Sequence, residues 1–166
     1  MVESMRRCQV GLVAAFFGLV FPANACDIYS ATETIDVILR EIRDGTIDRV
    51  DVLSIPENVN TFRTISPQMM EGFSAGKYSM KIARENMTQL SASLAALEPR
   101  QGKESTDLRW GFWFLDKSGR RLHSIFFDAE HWYTKGRRGY IDGNSCNFSS
   151  SLTNWARRNR MYTQRD

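Results

Sequence analysis

Hydrophobic positions recur along this chain with two periods, and the alternation between them predicts its elements. Ile35, Ile38, Leu39 and Ile42 fall at helical spacing. Ser30 and Glu33 ahead of them have the spacing of a capping box, and Gly45 after them is a helix stop. A helix is predicted over about 31–43. Arg49 to Ile55 is rich in β-branched residues and predicts a strand, ended by Pro56. Ser66-Pro67 pairs a capping residue with proline at the first helical position, so a short helix follows over about 67–73. Tyr78, Met80 and Ile82 alternate with polar neighbours and predict a second strand. Asn86 and Gln89 offer another cap, and Met87, Leu90, Leu94 and Leu97 form an apolar stripe over about 87–97, which Pro99 breaks.

The densest apolar region is DLRWGFWFLDKSGRRLHSIFFDAEHW, residues 107–132. Leu108–Leu115 and Leu122–Phe127 predict a hairpin around Asp116-Lys117-Ser118-Gly119. A three-residue loop pairs Asp116 with Arg120, Phe114 with Leu122 and Phe112 with Ser124. Side chains alternate across a sheet. Leu108, Trp110, Phe112 and Phe114 then share an apolar core face with Leu122 and Phe126. Arg109, Gly111, Trp113 and Leu115 share a mixed face with Arg121, His123, Ile125 and Phe127, where Gly111 leaves room for a shallow trough. Arg138–Ile141 predicts a third strand, turned by Asp142-Gly143. Phe148, Leu152 and Trp155 predict a C-terminal helix over about 149–160. Early elements alternate and late strands are consecutive. The fold class is therefore α+β: a mixed or mostly antiparallel sheet with a C-terminal three-stranded meander and helices packed on one face.

The 166 residues suit one domain, and 42% hydrophobic with 25% charged residues is globular composition. The first 25 residues differ. Arg6 and Arg7 precede an apolar run from Val10 to Phe21, and Ala23-Asn24-Ala25 closes it. That order predicts a secretory signal peptide over 1–25 and an exported domain over 26–166, periplasmic or secreted. The apolar run is shorter than the roughly 20 residues of a membrane span, and no later segment reaches that length, so the mature chain is expected to be soluble. Cys8 leaves with the leader. Cys26 and Cys146 then remain as the mature chain's only cysteines, and in an oxidising compartment they are expected to form a disulfide. A minor alternative anchors the chain by a lipid on Cys26, but Ala23-Asn24-Ala25 lacks the aliphatic residue usual before such a cysteine.

Net charge is +3, and +2 once Glu3, Arg6 and Arg7 are gone, so the balance implies no nucleic-acid partner. There is no Walker loop, GxGxxG, GxSxG or HExxH, and neither a cofactor nor a metal is expected. Imidazole and carboxylate side chains occur near the second hairpin strand at His123, Asp128, Glu130 and His131. They are the types that acid–base hydrolysis needs. Rings and arginines, the types enriched in interface hot spots, gather at Arg109, Trp113, Arg121, His123, Trp132, Arg137, Arg138 and Tyr140.

No family is recognised at motif level. In general build the chain resembles the small exported α+β proteins of Gram-negative bacteria, among them periplasmic inhibitors and immunity proteins. The resemblance covers architecture and leader only and transfers no functional residue. The expectation is an exported binding protein with a macromolecular, most simply protein, partner, using the eight residues just named. The alternative is an exported hydrolase using His123 or His131 with Asp128 or Glu130.

Overall fold

The computed structural model describes residues 26–56, 64–73, 76–102, 107–129 and 136–163. In chain order the elements are α1 (Ile28–Arg43), β1 (Arg49–Ser54), α2 (Pro67–Gly72), β2 (Lys77–Lys81), α3 (Arg84–Ala95), β3 (Leu108–Leu115), β4 (Arg121–Asp128), β5 (Arg137–Ile141), β6 (Asn144–Phe148) and α4 (Ser151–Thr163). The six strands form one antiparallel sheet in the order β2-β1-β3-β4-β5-β6. The α+β expectation therefore holds, with a wholly antiparallel sheet. The meander has four strands rather than three. The sequence Asn144-Ser145-Cys146-Asn147-Phe148 is polar at three of its five positions, so β6 carries little strand signal, but it pairs with β5 throughout.

Local chemistry sets the ends of the helices. Asp27, not Ser30, caps α1, accepting a 3.1 Å hydrogen bond from the Ser30 amide, so the helix starts earlier than its capping-box pattern suggests. Gly45 ends it with φ of 73°, and the Thr46 amide donates back to the Glu41 carbonyl over 2.9 Å. Ser66 caps α2 through the Met69 amide, with Pro67 in the first turn. Asn86 lies inside α3, where its side chain accepts from the Ala83 amide.

The sheet has two covered faces. On one, Val50 and Val52 of β1 lie opposite Phe114 and Phe112 of β3, which lie opposite His123 and Ile125 of β4. With Trp110, Phe127, Ile141, Cys146 and Phe148 these residues form the larger core, beneath Ile35, Ile38 and Ile42 of α1, Leu90 and Leu94 of α3 and Leu152 and Trp155 of α4. On the other, Leu53, Leu108, Trp113, Leu115 and Phe126 pack with Ile55, Ile65 and Met70 of α2. Three helices thus cover one face and α2 covers part of the other, which corrects the expectation of helices on one face only.

The hairpin also corrects the predicted register. Asp116 and Arg120 do flank the loop, the Asp116 amide donating to the Arg120 carbonyl over 3.0 Å, and Leu115 faces Arg121. A bulge then absorbs Leu122, and Phe114 pairs with His123 instead. That single extra residue inverts the faces of β4. Ile125 and Phe127 join the helix side and Phe126 the other. A second irregularity at Arg109 puts Leu108 on the far face too.

A disulfide joins Cys26 to Cys146, with Cα atoms 4.8 Å apart, and ties the start of α1 to β6. Beside it, Asn144 accepts from the Asp27 amide at 3.1 Å and donates to the Asp27 carbonyl at 2.7 Å. Among the described residues no helix is long and apolar enough to cross a membrane.

Candidate functional site

The face opposite the three helices carries a cleft of about 230 Å³ lined by Asp51, Glu71, Phe73, Lys77, Trp113, Leu115 and Arg121. Pairing across the sheet builds it in rows. Arg121 of β4 lies opposite Leu115 of β3, which lies opposite Arg49 of β1, which lies opposite Lys81 of β2. In the next row Trp113 lies opposite Asp51, and Asp51 opposite Ser79. The short helix α2 closes the open side. Met70 is buried and anchors it, while Glu71 and Phe73 stay at the rim.

Trp113 forms the floor and is only 6% exposed. A Cβ on Gly111 would meet its ring at 2.8 Å, so the indole lies across that glycine, and the space expected to be a trough is filled by Trp113 itself. Phe126 meets the indole edge-to-face at 5.7 Å, and the Lys77 ammonium sits 5.2 Å from its ring centre. Asp51 is a buried carboxylate between Val50 and Val52, and three groups hold it: Ser79 donates to it at 2.6 Å, and Arg49 and Lys77 lie at 3.4 and 3.2 Å. Arg121 pairs with Glu71, and both side chains remain about half exposed, at 48% and 47%. The cleft therefore offers an apolar floor, a neutralised carboxylate at one side and an exchangeable ion pair at the other.

The structure brings Trp113 and Arg121 together here and places the other expected contacts among the described residues elsewhere. Arg109 is buried and bonded to Asp107 at 2.6 Å. Arg137 is fully buried and donates to the Asp128 carbonyl at 2.7 Å. Arg138 donates to the Asp128 carboxylate through its amide and Nε, at 3.0 and 2.9 Å. Tyr140 packs at the edge of the second core. Glu130, His131 and Trp132 lie outside the described residues.

His123 is on the helix side of the sheet. Its Nδ1 lies 2.6 Å from Asp142 and its Nε2 3.1 Å from Glu41. The hydrogen bond to Asp142 is the main reason its pKa rises above 6.5; burial opposes the rise, and the charges of Asp142 and Glu41 add to it. Asp128 sits five positions along β4, about 16 Å away on an extended strand. The hydrolase pairing of His123 with Asp128 is thus not formed. Both ring nitrogens face carboxylates, an arrangement that favours the protonated ring and links α1 to the β5–β6 turn. Among the described residues no group of His, Cys, Asp and Glu side chains is arranged to hold a metal ion.

Leu115 was expected on the face of Trp113, whereas Glu41, Asp51, Glu71, Phe73 and Lys77 were not expected at a site. Asp51 had a usable signal, a carboxylate inside a buried strand. The others come from distant segments and carried none. Comparison with protein-family models, curated proteins and solved structures finds no match to this chain.

Proposed function

We propose that this chain is a small exported binding protein that docks a macromolecular partner, in the manner of an inhibitor or immunity protein, on the face around Trp113 and Arg121. The observation that carries the reading is the cleft itself. It joins a large ring, a half-exposed arginine and the 37%-exposed Phe73 within one concave site. Aromatic and arginine side chains in such settings supply most interface energy. The Cys26–Cys146 disulfide suits an oxidising compartment, and the basic, apolar and small-residue order of residues 1–25 supports export with cleavage before Cys26. A thiol held in the disulfide is not available for a lipid, which favours free periplasmic or secreted protein.

The test is capture from the protein's own envelope or secreted fraction, using residues 26–166 as bait and the Arg121→Ala variant as comparison. A partner retained by the native bait and lost from the variant is the expected result. A partner retained equally by both places the docking face elsewhere. Intact mass of the exported protein checks the second half of the proposal: a chain keeping residues 1–25 overturns it.

A further inference from the structure

Charge on this face is unevenly distributed. The cross-strand row Arg121–Leu115–Arg49–Lys81 holds three cations around one apolar residue, and Lys77 is a fourth cation on the cleft wall. Two carboxylates oppose them, Asp51 and Glu71. Asp51 is 8% exposed and enclosed by Ser79, Arg49 and Lys77, so it is committed to the fold. Glu71 differs: it reaches Arg121 from α2 across solvent-exposed space. An exposed ion pair of this type contributes little stability, so another carboxylate replaces it at small cost. Glu71 therefore occupies the position that an incoming acid would take.

We infer that the cleft recognises an acidic segment of a protein partner, in which an apolar side chain enters against Trp113, Phe73 and Leu115 while a neighbouring carboxylate displaces Glu71 from Arg121. This rests on the binding reading above and specifies its ligand. The apolar lining separates this ligand from a bare anion, because the exposed ring of Phe73 gains only if carbon covers it. The cationic row extends beyond the cleft over four strands, about 14 Å at ordinary strand spacing, which suits several acidic residues in succession.

The experiment is an NMR titration of residues 26–166 with a blocked peptide alternating phenylalanine with aspartate, beside the same peptide with lysine for aspartate. The aspartate peptide is expected to shift the Trp113 indole and Arg121 guanidinium signals, and the lysine peptide to leave them unmoved. Glu71→Gln removes the internal competitor and should tighten binding by about threefold to fivefold at low salt, the converse of a surface pair's strength. A residue that merely supported the site would weaken binding when changed. Arg121→Glu should weaken it at least about tenfold. Both variants change half-exposed positions, and their unfolding curves verify the fold.

Equal binding of the lysine peptide, no shift with the aspartate peptide, or no gain in Glu71→Gln overturns the inference. Binding of anionic phospholipid vesicles in preference to the peptide also overturns it, in favour of a membrane surface. If the peptide fails while Arg121→Ala still loses a captured partner, the ligand class is wrong and the docking face stands.

Discussion

The two sides of the sheet are covered by different means. Beneath α1, α3 and α4 the side chains are almost all carbon: Val50, Val52, Phe112, Phe114, Ile125 and Phe127 meet Ile38, Leu90, Leu94 and Trp155. Three helices seal that side, and the disulfide fastens its margin. Among the described residues, the opposite side is covered by α2 with Ile55 and Ile65, and that cover is incomplete. Leu53, Ile65, Met70 and Trp113 make a smaller core, and where it ends Arg49, Asp51, Lys77, Glu71 and Arg121 take over through ion pairs. Apolar burial is non-directional and tolerates complete enclosure, whereas charges must reach water or each other. A partly covered face therefore ends in a charged margin, and in this protein that margin is also where a ligand has room.

The contrast is open to attack in order of expected effect. Opening the Cys26–Cys146 bond frees a loop spanning 120 positions, which should cost about 4–5 kcal/mol in the chain-entropy model. Urea unfolding with and without reductant measures it, and unchanged stability would show that the bond does not fasten the helix side. Phe112→Ala, fully buried in the larger core, should lose about 3–5 kcal/mol in the same assay. Trp113→Ala is the sharper probe of the comparison. Its ring is buried, so a loss of about 3 kcal/mol is expected, approaching that of Phe112→Ala. A loss below about 1 kcal/mol would mean that the second core contributes little and that this face is essentially open.

His123 tests the seam between α1 and the β5–β6 turn. Its folded pKa is raised above 6.5 chiefly by the hydrogen bond to Asp142. Stability from this group is therefore complete below about pH 6.5 and fades as pH rises through the folded value. The native chain should exceed His123→Gln by about 1–2 kcal/mol at pH 5.5 and by clearly less at pH 8.5. An advantage equal at both values would eliminate the protonated clamp. The smallest effect belongs to Arg121→Ala, which should change stability by less than about 1 kcal/mol because its ion pair is half exposed. A larger loss would make Arg121 part of the fold and remove it from the margin where docking is proposed.

Legibility followed the range of the interactions. Short-range patterns located α1, α2, α3, β1, β2 and the hairpin strands to within a few residues, because periodicity and caps such as Ser66-Pro67 act locally. The faces of β3 from Trp110 to Phe114 were also legible, since alternation alone sorts them. The faces of β4 were not. A loop of the right length was followed by a bulge at Leu122, whose apolar side chain packs partly against the main core and looks like an ordinary strand residue. Of the candidate contacts, the structure joined Trp113 to Arg121, while Arg109, Arg137 and Arg138 found carboxylate or carbonyl partners that composition does not reveal.

Order along the chain determined the helices, most of the strands, the α+β class and the two cysteines available to one another after residue 25. These depend on hydrophobic period, on capping within a few residues and on counting. Tertiary structure alone decided that β1 would lie between β2 and β3, that β6 would pair with β5, and that α2 would cross to the face opposite the other helices. It also brought Glu71 to Arg121, fifty positions away, and Glu41 to His123, eighty-two away. Such pairs depend on which surfaces remain uncovered once the sheet has formed, and no window of sequence contains that information.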